Sequence, residues 1–116
     1  MSQALFYHNP KCNKSRKALE IIENHNSNTK VILYLKDKLT KSMLKEILDS
    51  SGLSVRDIIR NNEKEYNENN LDNLNLTKDE ILDFIIIYPK LLQRPVFVFN
   101  NKAIIGRPPE DVLKII

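Results

Sequence analysis

Residues 4–16 read ALFYHNPKCNKSR, and this stretch decides the fold class. Ala4 to Tyr7 suit a short strand, Asn9-Pro10 is a turn-forming pair, and from Asn13 onward Ala18, Leu19 and Ile22 recur at helical spacing. The order is strand, loop, helix, with the chain's one cysteine, Cys12, where the helix begins. After the polar residues 24–28, the run KVILYL (30–35) is expected to form a second strand, completing a βαβ opening.

Further along, Thr40 is expected to cap a helix with Met43, Leu44, Ile47 and Leu48 on one side, ended by Gly52. Ser54-Val55-Arg56-Asp57 approximates a capping box for a short helix burying Val55, Ile58 and Ile59, with Arg60 at its end. The Asn- and Glu-rich residues 61–76 read as a surface connection pinned by Leu71, Leu74 and Leu76. Thr77-Lys78-Asp79-Glu80 opens a strongly apolar helix that Pro89 stops. Val96–Phe99 and Lys102–Ile105 flank Asn100-Asn101, a pair able to take the positive φ values of a type I′ hairpin. Pro109 then suits the first turn of a final helix carrying Val112, Leu113 and Ile116. The whole reads βαβ, helices, ββα, an α/β chain expected to form one domain over residues 1–116.

At 116 residues, 41% hydrophobic and 28% charged, the chain has the composition of a globular protein with a buried core. The net charge of +3 is spread without a basic block, which favours small anions over nucleic-acid tracks. The opening residues do not read as a secretory signal, and the apolar run Ile81–Tyr88 is too short to span a bilayer. A cytoplasmic protein bound to neither membrane nor nucleic acid is expected. One cysteine forms no internal disulfide, so any redox cycle through Cys12 borrows a second thiol.

A free cysteine is usually a packing residue. Cys12, however, has Lys11, Asn13 and Lys14 as neighbours and falls at a helix N-terminus, where unpaired N–H groups and the helix dipole stabilise a thiolate. His8 and the lysines are expected to add to this. The same N–H groups favour an anion, so a nucleophile and an anion cradle coincide. A phosphatase-type loop needs five residues between cysteine and arginine; Arg16 follows Cys12 by four and residue 18 is Ala18, which excludes it. Thioredoxin-like redox proteins place C-x-x-C at such a junction, and here Ser15 stands where the second cysteine would be.

Arg94 and Arg107 each directly precede a proline, a position restricted to extended backbone. Flanking the hairpin, they are expected at the same end of the sheet as Cys12, with Arg60 as a third. Guanidinium forks suit tetrahedral oxyanions because they donate two parallel hydrogen bonds. His25 reads as solvated. One cysteine and two distant histidines lack zinc-site spacing, so no metal is expected.

The segments YHNPKCNKSRKALEII, Arg60 after SVRDII, LLQRPVFVFNNKAIIGRP and PPEDVLKII together resemble the glutaredoxin-dependent arsenate reductases of the thioredoxin-like superfamily, from residue 5 to 116. The resemblance implies a thioredoxin-like core with an all-helical insertion at about residues 37–92 and a cis peptide at Pro95. It implies that Cys12 attacks arsenate, that Arg60, Arg94 and Arg107 bind the oxyanion, that His8 favours the thiolate, and that Asn9 and Ser15 support the loop. It further implies no bound cofactor, glutathione as co-substrate and glutaredoxin as protein partner, and a monomer is expected. The Gly106–Glu110 ending resembles the reductase-like branch related to the Spx regulators, which bind RNA polymerase. A regulatory or protein-binding module without arsenate turnover and a general glutathione-linked thiol oxidoreductase are therefore the alternative functions.

Overall fold

The computed structural model describes residues 3–25 and 28–116, so part of the polar segment before the second strand lies outside the described residues. Strand β1 (Ala4–Tyr7) leads into α1 (Asn13–His25) and β2 (Thr29–Ile32). Four helices follow: α2 (Lys41–Ser51), α3 (Val55–Ile58), α4 (Lys64–Glu68) and α5 (Lys78–Ile87), then a 3₁₀ turn at Pro89–Leu91. The chain returns through β3 (Val96–Phe99) and β4 (Lys102–Ile105) and closes with a 3₁₀ segment, Pro109–Lys114.

The sheet order is β2-β1-β3-β4. β1 pairs in parallel with β2, matching Tyr7 to Ile32, and antiparallel with β3, matching Tyr7 to Val96. Strand alternation sorts the side chains onto two faces. Phe6 and Phe97 face α1 and the C-terminal segment, joining Ala4, Ala18, Ile22 and Val112. Tyr7, Ile32, Val96 and Val98 face the other way into a larger core completed by Leu44, Ile47, Leu71, Ile81, Leu82 and Ile85 of the helical insertion. At roughly 1.5–3 kcal/mol for each large apolar side chain fully buried, these two layers hold the sheet between them. The result is the thioredoxin-like α/β architecture, with the insertion falling inside residues 37–92.

Local signals act as their chemistry requires. Thr40 Oγ1 accepts the Met43 N–H at 3.2 Å, and Gly52 ends α2 at φ 73° with its N–H on the Leu48 carbonyl. Ser54 and Asp57 form the capping box of α3, and Thr77 and Glu80 form that of α5. Asn100 and Asn101 take φ of 56° and 61°, as a type I′ link demands. The Arg94-Pro95 peptide is cis, as the family resemblance implies, and so is Arg107-Pro108.

Three expectations are corrected. The second strand stops at Ile32, because the Leu33 carbonyl accepts the Lys36 and Asp37 N–H groups while the Asp37 carboxylate takes the Leu33 N–H, turning the chain at residues 34–36. Within residues 61–76 a short helix forms, and Leu74 is 88% exposed. That connection is pinned by Leu71 and Leu76, as expected, and by Arg56, whose guanidinium donates to the carbonyls of Leu71 and Asn73. The last segment is 3₁₀ rather than α-helical, so its inward residues repeat every three: Pro109, Val112 and Ile115 face the core, whereas Leu113 is exposed. No helix among the described residues is long and apolar enough to cross a membrane.

Candidate active site

The Cys12 loop is built mostly from contacts a few residues long. The His8 N–H donates to the Ile32 carbonyl at 2.9 Å, extending the parallel pairing one residue beyond β1 and setting where the loop starts. The Asn9 carbonyl accepts the Cys12 N–H at 3.0 Å and its side-chain Oδ1 accepts the Lys11 N–H at 3.0 Å, closing a tight turn. Ser15 is fully buried; its hydroxyl accepts the Asn9 N–H at 3.0 Å and lies 2.7 Å from His8 Nδ1. Arg16, on the outside, donates to the Pro10 carbonyl at 2.7 Å and to Asn13 Oδ1.

Cys12 is half-buried at the first turn of α1. Burial pushes its thiol pKa up, but the nearby Ser15 backbone N–H, Arg94 side chain and Lys14 backbone N–H favour the thiolate, and the net effect is a pKa below the usual thiol value. Negative sulfur against helix N–H groups is the arrangement that depresses thiol pKa values in general. The lysine side chains are not among the groups that stabilise it; Lys14 acts through its backbone.

His8 also differs from expectation. Burial, then the charge of Arg16, lower its imidazole pKa against an opposing pull from Glu23. Its ring packs beside Phe6 with centroids 5.5 Å apart. A neutral His8 supplies no positive charge to the thiolate. The Ser15 hydroxyl, which takes the Asn9 N–H, is also the partner of His8 Nδ1, so the ring is tied to its own loop. His8 thus reaches the sulfur through Ser15, as a brace of the loop whose N–H groups point at Cys12.

The arginines arrive from distant parts of the chain. Arg60 is buried at the end of α3, where Ile59 and Leu92 form an isolated antiparallel bridge. Its N–H donates to the Leu91 carbonyl at 2.6 Å and the Gln93 N–H to the Ile58 carbonyl at 2.8 Å, lacing this segment beside Arg94. Glu63 then joins two guanidinium groups: its Oε2 lies 3.1 Å from Arg60 Nε and 3.9 Å from Arg94 Nη1. Arg107 Nε donates to the Arg94 carbonyl at 2.7 Å. Gly106 permits this approach, since a Cβ there would lie 2.9 Å from the Pro95 ring and 3.2 Å from Val112. The structure therefore brings together Cys12 and Arg94 directly, Arg60 through Glu63, and Arg107 through the Arg94 backbone.

Two members of the cluster were missed in the sequence. Glu63 sits in an Asn- and Glu-rich connection that reads as solvated surface, and only its i+3 spacing from Arg60 hinted at a pair. Tyr34 was assigned to a strand, yet it lies beyond β2, where the charged groups acting on it are Arg94, Cys12 and Arg60. An open concavity elsewhere, lined by Lys41, Lys45, Glu46, Asp49 and Asn101, does not include the thiol. His25 donates to or accepts from nothing in this cluster; its Nδ1 lies 2.9 Å from the Ile21 carbonyl.

Residues 7–115 match the model of the ArsC family. The chain belongs to the ArsC family. Relatives of this ArsC chain include a protein named arsenate reductase from Neisseria meningitidis serogroup A, 40% identical over 113 residues that cover 97% of each chain. An uncharacterized protein of Escherichia coli K12 is 38% identical over 115 residues, 98% of this chain and 97% of that one. Among solved structures, an arsenate reductase from Vibrio cholerae superposes with a TM-score of 0.94 at 40% identity, covering 98% of each chain.

Proposed function

We propose that this ArsC-family protein is a cytoplasmic, monomeric arsenate reductase in which Cys12 is the nucleophile, glutathione the thiol donor and glutaredoxin the partner that completes the cycle. The observation that carries the reading is the meeting of a stabilised thiolate with Arg94, in a cluster where Glu63 and the Arg94 backbone tie in Arg60 and Arg107. A nucleophilic sulfur beside fixed guanidinium groups suits attack on a tetrahedral oxyanion, because the cations offset the repulsion between two negative reactants. Relatives named arsenate reductase over nearly the whole length support arsenate as that oxyanion.

In this scheme the Cys12 sulfur bonds to arsenic(V) and one arsenate oxygen leaves as water after protonation. Glutathione sulfur then attacks the Cys12 sulfur, the sulfur–arsenic bond breaks, and its electron pair stays on arsenic, now arsenite. The mixed disulfide between Cys12 and glutathione is opened by a glutaredoxin thiolate, which takes the glutathione and returns Cys12 as thiolate. Two electrons leave two external thiols and reduce one arsenic. With Ser15 at the second position of the motif, the chain has no resolving thiol of its own, which is why both come from outside.

A coupled assay of the purified protein with glutathione, glutaredoxin and arsenate tests this. Arsenite should form at a rate dependent on glutaredoxin and disappear in Cys12→Ser. Undiminished turnover in that variant, or none in the wild type, refutes the assignment.

A further inference from the structure

We infer that Tyr34 is a further oxyanion-binding residue, its hydroxyl donating to an oxygen of the tetrahedral anion held by Arg94 beside Cys12. The inference rests on the functional reading above and adds a contact to it. Among the described residues, the buried side-chain atoms without a hydrogen-bond partner are the Tyr7 and Tyr34 hydroxyls, Glu65 Oε1 and Arg94 Nε. Two of these four, Tyr34 and Arg94, are neighbours at the thiol.

Tyr34 is 1% exposed and its ring belongs to the core between β2 and the insertion. Phenylalanine would fill that position without leaving a buried hydroxyl unpaired, which is destabilising. The turn that ends β2 fixes the residue: the Leu33 carbonyl holds the Lys36 and Asp37 N–H groups at 2.8 and 2.7 Å. Its hydroxyl thereby stands close enough to the Arg94 guanidinium for that side chain to act on it, and because an arginine only donates, the phenolic O–H itself has no acceptor. Two unspent donors side by side, one neutral and one cationic, are what an acceptor-only anion would satisfy. Burial also raises the Tyr34 pKa to about 12, so the phenol keeps its proton and remains a donor at neutral pH.

Tyr7 supplies the contrast. Its hydroxyl is equally buried and unpaired, but the charged group acting on it is Glu46 of α2, an anion, rather than the Cys12 cluster. An orphaned hydroxyl alone therefore does not mark the site.

The test measures how arsenate, and separately sulfate, protects Cys12 from iodoacetamide in the reduced protein without glutathione. Sulfate reports hydrogen-bonding recognition alone, and arsenate includes any bond to sulfur. Tyr34→Phe should weaken protection by both anions about 10-fold or more, the lower end of what a hydrogen bond to a charged group contributes, and raise the KM for arsenate more than it lowers kcat. Its urea midpoint should equal or exceed that of the wild type, while Tyr7→Phe should leave protection unchanged. Wild-type protection in Tyr34→Phe overturns the inference and leaves the functional reading standing. A clearly lower urea midpoint also overturns it, since the hydroxyl would then have a partner in the free protein. If neither anion protects the wild type, the functional reading fails and the inference with it.

Discussion

The loop that carries Cys12 and the cluster of arginines it meets are built by opposite means. The loop is closed by bonds spanning two to seven residues, from Lys11 to Asn9, Cys12 to Asn9, and His8 to Ser15. The arginine side depends on bonds across thirteen to thirty-five residues, from Arg107 to Arg94, Arg60 to Leu91 and Gln93 to Ile58. Short-range bonds cost little chain entropy to close, whereas the longer ones stand only if the whole insertion packs onto the sheet. The placement of the thiol is therefore a property of a local motif, and that of the guanidinium groups beside it a property of the folded chain.

Breaking the local side at its sulfur has the largest effect: Cys12→Ser should bring arsenate reduction, followed as arsenite formed, down to the uncatalysed background, because a serine hydroxyl is not ionised by the same N–H groups. Breaking the distant side at Arg94 is milder and twofold in kind. In Arg94→Ala the affinity for arsenate should fall about 30-fold or more, roughly the 2 kcal/mol lower bound for truncating one partner of a buried charge pair. The Cys12 pKa, read by thiolate absorbance, should rise in the same variant, since Arg94 is one of the groups that lower it. An unchanged thiol pKa would separate the two regions and contradict the contact.

Gly106→Ala probes the junction without touching a charge. With the added methyl 2.9 Å from the Pro95 ring, the hairpin end must shift, and a loss of about 1–3 kcal/mol in urea unfolding is expected, together with weaker arsenate binding. Thr77→Ala acts farther away, removing the cap of α5, and should cost about 1 kcal/mol of stability while leaving the Cys12 pKa alone. The smallest effect is a pH dependence on the local side. His8 has a folded-state pKa below its unfolded value of about 6.5, so the unfolded chain binds the proton more readily. The stability this provides is full above about pH 6.5 and is lost as pH falls from there through the folded pKa. The urea midpoint of the wild type should drop between pH 7.5 and 5.5 relative to His8→Gln, which does not titrate; parallel curves would show that His8 is not buried neutral.

Much of the fold was legible because its signals are short. Asn100-Asn101, the two capping boxes and the Thr40–Gly52 helix needed only neighbouring residues. The end of β2 was not legible, because KVILYL is β-prone throughout and only the bonds to the Leu33 carbonyl and N–H stop it. Leu74 misled for a related reason: an apolar residue in a polar connection looks like an anchor, but Arg56 had already fixed that stretch through backbone carbonyls. In the site, the helix-start position of Cys12 and the proline-fixed arginines could be read directly. The neutral state of His8 could not, since it follows from burial beside Phe6 and the nearness of Arg16.

By itself, then, the chain's order of residues determined the strand–loop–helix opening, the place of the thiol at a helix start and the presence of one cysteine with Ser15 three residues on, because each depends on residues close in sequence or on a simple count. Tertiary structure alone decided that Glu63 links Arg60 to Arg94, that Tyr34 turns inward beside them and that Gly106 lets Arg107 reach the Arg94 carbonyl. Glu63 and Tyr34 each meet Arg94 across more than thirty positions, and that geometry exists only once the insertion and the sheet bury their apolar faces against each other.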